Sequence, residues 1–210
     1  MELHTWILFV SVAMVAILSP GPAILLAINN SVMYDLKTVA LSSLANILGL
    51  LTLSSAAMLG LGVVLYTSAA LFTGFKVLGA IYLVYIGIKQ FRNLGNAFEG
   101  LHVKRKKSKK ELFGIFKKAY LVCVTNPKPI IFFTALFPLF MDINAPILPQ
   151  FFILTFTFMF LSFVTLMAYA YFAKTLKSWF ALPSRAAWFN RISGVLFVGL
   201  GIGLLGLERK

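Results

Sequence analysis

Six apolar stretches constrain this chain more than any other feature, because each is close to the roughly 20 residues a helix needs to cross a bilayer's hydrocarbon core. They cover roughly 5–28, 38–64, 68–91, 115–140, 150–173 and 188–206. The runs are continuous rather than alternating, which favours helices over a transmembrane barrel. Of the 210 residues, 60% are hydrophobic and 12% are charged, far less charge than a soluble domain carries. "MELHTW" has no Lys or Arg ahead of the first run, so that run is expected to be a retained span, not a cleaved signal.

The few charges orient the spans. The net charge is +13, and ten Lys/Arg lie between Lys89 and Lys118, including "VKRKKSKK". The segment 174–191 carries four more, and the connection 29–37 carries Lys37. The opposite connections, 65–67 and 141–149, carry none. Cytoplasmic loops concentrate Lys and Arg, so the basic loop belongs in the cytoplasm and both termini outside. Arg209 and Lys210 fall on the wrong side, but two terminal charges weigh little against that asymmetry. The basic run has no interleaved aromatics, so it does not read as a nucleic-acid site.

Two stretches repeat: "SPGPAILLAI" at 19–28 and "NPKPIIFFTA" at 126–135. Each is Pro-x-Pro opening an apolar run, and each lies in the first span of a three-span half. In the third spans, Lys76 precedes Gly79 by three residues and Arg191 precedes Gly194 by three. Matched features in matched order predict a duplicated unit. With three spans per half the copies are inverted: 1–97, a basic loop 98–111, and 112–210, within one transmembrane domain. Inverted repeats are a recurrent plan of secondary transporters, whose sites lie where broken helices meet near the midplane.

The prolines explain why such a site would form. Proline lacks the N–H that bonds the carbonyl four residues back. Pro20, Pro22, Pro127 and Pro129 therefore free the carbonyls of Ala16, Leu18, Cys123 and Thr125. In hydrocarbon these need donors from neighbours, water or a ligand. Gly21 allows close approach. Ser19, Thr125, Asn29 and Asn126 add hydroxyls and amides beside the breaks. Freed carbonyls suit an ammonium, and the N–H groups of a restarted helix suit a carboxylate. A zwitterionic amino acid carries both.

Lys76 and Lys128 lie within spans, where an ionisable residue is a functional candidate. Either can hold a carboxylate or snorkel to headgroups. Asn46 can line a cavity or bond between helices. All six acids lie in tails, loops or span ends. A dibasic or metal cation would want an intramembrane carboxylate, so a neutral zwitterion or lactone fits better. Asp35 is the best remaining proton carrier. Tyr82, Tyr85 and the glycines 79, 87, 194, 199, 201 and 203 read as packing residues, and "FFILTFTFMF" as lipid-facing bulk. The single cysteine, Cys123, rules out an internal disulfide and a two-cysteine electron relay within one chain. His4 and His102 lie outside the spans, and no His or acid cluster suggests a metal site.

"LSPGPAILLAINNS", "KVLGAIYLVYIGIKQF" and "VTNPKPIIFFTALFPLFM" together resemble the LysE/RhtB amino-acid exporters, over about Trp6 to Gly206. The resemblance is greatest to the branch exporting homoserine, its lactone and threonine. It implies a bacterial inner-membrane exporter driven by the proton gradient, not an enzyme, needing no cofactor. The motif residues carried over are Ser19, Pro20, Gly21 and Pro22, and Asn126, Pro127, Lys128 and Pro129. One departure falls in span two, where Ala45 stands at a usual glycine and Leu50 follows Gly49. Expected partners are a small amino-acid substrate and membrane lipids; a homodimer is left open. Export of a basic amino acid, another small solute or a metal cation is the alternative reading.

Overall fold

The computed structural model describes residues 2–19, 21–67, 69–92, 108–142, 144–173 and 183–205. Every apolar run is helical there, and two of them are interrupted. The first forms α1 (Leu3–Leu18) and α2 (Pro22–Met33), bent by 56°. Pro22 occupies the first turn of α2, where a missing N–H is no loss and the fixed φ suits the helix. The interruption is therefore a stop and a restart, not a kink.

The second and third runs are α3 (Leu36–Thr67) and α4 (Ala69–Arg92). The fourth is α5 (Lys109–Val124) followed, across a 46° bend, by α6 (Pro127–Ile131). The chain then continues as a π turn over Phe132–Leu136 and a 3₁₀ turn over Phe137–Phe140. Pro138 supplies the cause: without its N–H it cannot bond the Thr134 carbonyl, and its ring crowds that oxygen, so the α register is lost. The last two helices are α7 (Ile147–Tyr171) and α8 (Pro183–Leu205).

The helix of the fourth run starts earlier than the expected span, at Lys109. Ser108 and Glu111 form a capping box: Ser108 Oγ accepts from the Glu111 N–H at 3.2 Å, and Glu111 Oε2 from the Ser108 N–H at 2.8 Å. The end of the expected basic loop is thus helical; residues 93–107 lie outside the described set.

Two helices, Leu36–Gly60 of α3 and α7, are each long and apolar enough to cross a bilayer. Counting each bent pair as one broken span makes four among the described residues. No strand occurs among the described residues, so the all-helical membrane class expected from the apolar runs holds.

α3 packs between α5 and α7, and α7 also contacts α1 and α2. α4 and α8 form a second, antiparallel pair. A Cβ on Gly87 would stand 2.7 Å from the Gly194 carbonyl oxygen, and one on Gly194 would stand 2.5 Å from that of Gly87. Farther along, a Cβ on Gly201 would reach the Ala80 oxygen at 2.9 Å. Small residues let membrane helices approach this closely. Gly199 and Gly203 do not pack this way; a Cβ on either would meet open space. The surroundings of Gly79 and Tyr82 lie outside the described set.

The phenylalanines of α7 split by face, correcting their expected role as lipid-facing bulk. Phe152, Phe156 and Phe160, four residues apart, are exposed. Phe151 and Phe158 are buried and join Phe9, Phe132, Phe133, Phe137 and Phe140 in an aromatic core. Its rings meet mostly edge to face, for example Phe9 and Phe140 at 5.3 Å. The turn leading into α7 is closed by buried Gln150, whose Oε1 accepts from the Asp142 N–H and whose Nε2 donates to the Asp142 carbonyl, both at 2.9 Å.

Candidate functional site at the paired helix breaks

The two breaks meet. Asn126 caps α6, its Oδ1 accepting from the Lys128 N–H at 3.1 Å. That cap sets the direction of Lys128, whose Nζ donates to the Ser19 carbonyl at 2.6 Å. Gly21, the N-cap of α2, stands opposite: a Cβ there would be 3.4 Å from Lys128 Nζ, an ordinary contact. Its backbone is extended, at φ −158°, so the glycine leaves space rather than relieving strain.

The freed carbonyls are partly met by the chain itself. Tyr169 Oη donates to the Leu18 oxygen at 2.8 Å, and the Asn126 N–H donates to the Cys123 oxygen at 3.1 Å. Of the donors expected for the freed carbonyls, neighbouring groups thus supply those two. The carbonyl that a cation does meet is one residue from Pro20, at Ser19.

Between the breaks lies a cavity of about 50 Å³, space for several waters. Gly21, Asn46, Asn126, Lys128 and Ser162 form its polar wall. Phe132 and Phe158, with centroids 4.6 Å apart, form the wall it shares with the aromatic core. Cys123 lines it from α5, where α3 comes close: a Cβ on Gly49 would stand 2.9 Å from Cys123 Sγ. No acidic side chain is among the described residues that line it.

Of the expected site residues, Gly21, Asn46, Asn126, Lys128 and Pro129 line this cavity. Ser19 contributes its carbonyl. Pro22 and Pro127 sit exposed at the starts of α2 and α6, where they set the breaks without facing the cavity. Thr125 is exposed and its hydroxyl returns to the Leu121 carbonyl at 2.7 Å. Asn29 is half-buried on α2, outside the cavity wall. Pro20 and the side chain of Lys76 lie outside the described set. Asn46 serves both of its expected roles, since its Nδ2 also reaches Ser162 Oγ at 3.5 Å.

Asp35 acts as a cap. Its Oδ1 accepts from the backbone N–H and the hydroxyl of Thr38, each at 2.8 Å, at the start of α3. Ser162 and Phe158 escaped the sequence reading. Their signal is the spacing of Thr155, Ser162 and Thr165, polar residues on one face of a mostly apolar helix, all buried.

Comparison with known proteins gives a consistent answer. The model of the LysE type translocator family matches residues 14–207. An uncharacterized membrane protein of Vibrio cholerae is 31% identical over 206 residues, covering 96% of this chain and 97% of that one. The membrane protein YrhP of Bacillus subtilis is 27% identical over 205 residues, covering 95% and 98%. The homoserine/homoserine lactone efflux protein of Salmonella typhi is 30% identical over 201 residues, covering 96% of each. No solved structure matches. Translocators of this kind are multi-pass membrane transporters, not enzymes. With its family match running nearly end to end, the chain belongs to the LysE type translocator family.

Proposed function

We propose that this protein exports small neutral amino acids or their derivatives, of the threonine, homoserine or homoserine lactone class. It does so from a bacterial inner membrane, by alternating access coupled to protons. The observation that carries the reading is the cavity at the meeting of two broken helices, with Lys128 on its wall and no acid beside it. Lys128 has three N–H donors and gives one to Ser19, leaving donors for a substrate carboxylate. The start of α2, which has no side-chain cap and presents the positive end of the helix dipole, favours the same charge. A dibasic amino acid or a metal cation would face the Lys128 ammonium with no carboxylate in compensation, which disfavours the alternative cargoes. The efflux of homoserine and its lactone named for the Salmonella relative supports the class.

Six spans in two inverted halves, with both termini outside, remain the architecture that best accounts for the pattern. Each half opens on a broken helix, and the third helices of the two halves, α4 and α8, pack antiparallel. In that orientation the aromatic core around Phe9, Phe137 and Phe140 fills the outer side of the cavity. The conformation described is then shut toward the outside.

The test is efflux from cells overproducing the protein, loaded in turn with radiolabelled amino acids. Faster loss of threonine or homoserine, with lysine and arginine unchanged, is expected. No change for any neutral substrate would overturn the proposal.

A further inference from the structure

Beside the main cavity lies a smaller one of about 10 Å³. Ala23, Asn46 and Leu166 line both, so the two abut across these three side chains. Ser42 and Ser43 of α3 form the polar wall of the smaller cavity. Serines and threonines inside helices usually return their hydroxyl to a carbonyl about one turn back. Ser42 does so to Val39 at 3.0 Å, Thr52 to Leu48 at 2.9 Å and Ser54 to Leu51 at 3.0 Å. Ser43 does not. Its side chain is 1% exposed, and its hydroxyl has no hydrogen-bond partner among the described residues.

A buried hydroxyl left alone is penalised, so natural proteins pair it. The side cavity that Ser43 helps to line has about the room of one water, which is also the size of one hydroxyl group. We propose that this side cavity is a hydroxyl-reading subsite, in which Ser43 hydrogen-bonds the side-chain hydroxyl of a hydroxylated amino acid. The inference rests on the export reading, which places the charged end of the substrate at Lys128. When substrate is absent, a water takes the hydroxyl's place. A hydroxyl replaces that water with its hydrogen bond intact, whereas a methyl evicts it and leaves Ser43 unpaired. A site built to bond a substrate hydroxyl rejects the analogue that lacks it far more strongly than an apolar pocket rejects an added one. Asn46 stands between the two cavities, and its 3.5 Å contact with Ser162 is long enough to be given up for a substrate.

Binding of L-threonine and of L-valine, which carries a methyl in place of the hydroxyl, tests this by titration calorimetry on the full chain in lipid nanodiscs. The unaltered protein should prefer threonine. Ser43→Ala should weaken threonine about tenfold while valine changes less than about twofold. Ser43→Cys, which nearly keeps the volume but bonds weakly, should show the same collapse of preference and guards against an effect of packing alone. Equal affinity of the unaltered protein for both ligands, or equal weakening of both by Ser43→Ala, would overturn the subsite while leaving export intact. Failure of the unaltered protein to bind either would overturn the export reading and the subsite with it.

Discussion

Lys128 Nζ and the Ser19 carbonyl oxygen, 109 residues apart in sequence, lie 2.6 Å apart across the two helix breaks. This bond ties the first half of the chain to the second at the wall of the cavity. In the proposed cycle a substrate carboxylate competes with the Ser19 oxygen for the same ammonium, so binding loosens the tie between the halves. Hydrogen bonds to charged groups contribute about 1.5–3 kcal/mol, or roughly 10–100-fold in an equilibrium. Lys128→Met should therefore raise the KM for threonine efflux by about that factor. Lys128→Arg, which keeps the charge, should recover part of it. Counterflow in proteoliposomes measures both, and an unchanged KM in Lys128→Met would remove the residue from substrate binding.

Gly21 faces the same amine without being forced by its backbone, so a methyl at that position tests the cavity separately from the fold. Gly21→Ala should insert and melt like the unaltered protein, since its Cβ would make an ordinary 3.4 Å contact. It should nonetheless slow transport several-fold by filling space beside Lys128. Parallel melting and efflux measurements distinguish the outcomes; equal rates would mean that substrate does not approach this wall.

Tyr169 holds the end of α1 by donating to the Leu18 carbonyl that Pro22 leaves unpaired. A neutral hydrogen bond contributes about 1 kcal/mol. Tyr169→Phe should lower the thermal midpoint in detergent by a few degrees while leaving the KM within about twofold. A large KM change with an unaltered midpoint would assign Tyr169 to the substrate instead.

Much of this was legible in the sequence because a membrane leaves few alternatives. Long apolar runs in hydrocarbon must be helices, and a Pro-x-Pro within one must interrupt it. The side of each helix that faces protein was less legible. Along α7 the apolar residues run all round the helix, so hydropathy could not separate Phe152 and Phe156, which are exposed, from Phe158, which lines the cavity. Of the polar positions along it, Thr155, Ser162 and Thr165 mark the inward face, as buried Gln150 does near its start. Which of the carbonyls at the breaks would receive Lys128 was not legible either, because that depends on how two distant segments meet. Tyr169, which bonds another of these carbonyls, carries no local sign of the role.

The α4–α8 interface yields a contrast between two glycines on one helix. A Cβ on Gly194 would collide with the backbone of α4, whereas one on Gly199 would meet nothing. Gly→Ala alone favours a helix by up to about 1 kcal/mol, while forcing atoms into a packed interface costs about 1–3 kcal/mol. Gly199→Ala should therefore leave the thermal midpoint equal or higher, and Gly194→Ala should lower it. Equal behaviour of the two variants would mean that α4 and α8 are not in backbone contact.

Cys123 offers a native probe of alternating access, since it is the chain's single cysteine and lines the cavity while being 1% exposed. Thiol reagents react with it only when the cavity opens. In the proposed orientation the aromatic core shuts the outer side, so an impermeant methanethiosulfonate added outside should label intact cells slowly. Phe132→Ala removes a ring packed between Phe9 and Phe158 and should speed that labelling at least about tenfold. Saturating threonine should slow it again by occupying the space in front of the thiol. Mass spectrometry of the purified protein reads the modified fraction directly. Rapid outside labelling of the unaltered protein, insensitive to both Phe132→Ala and threonine, would show that the aromatic core is not the outer gate.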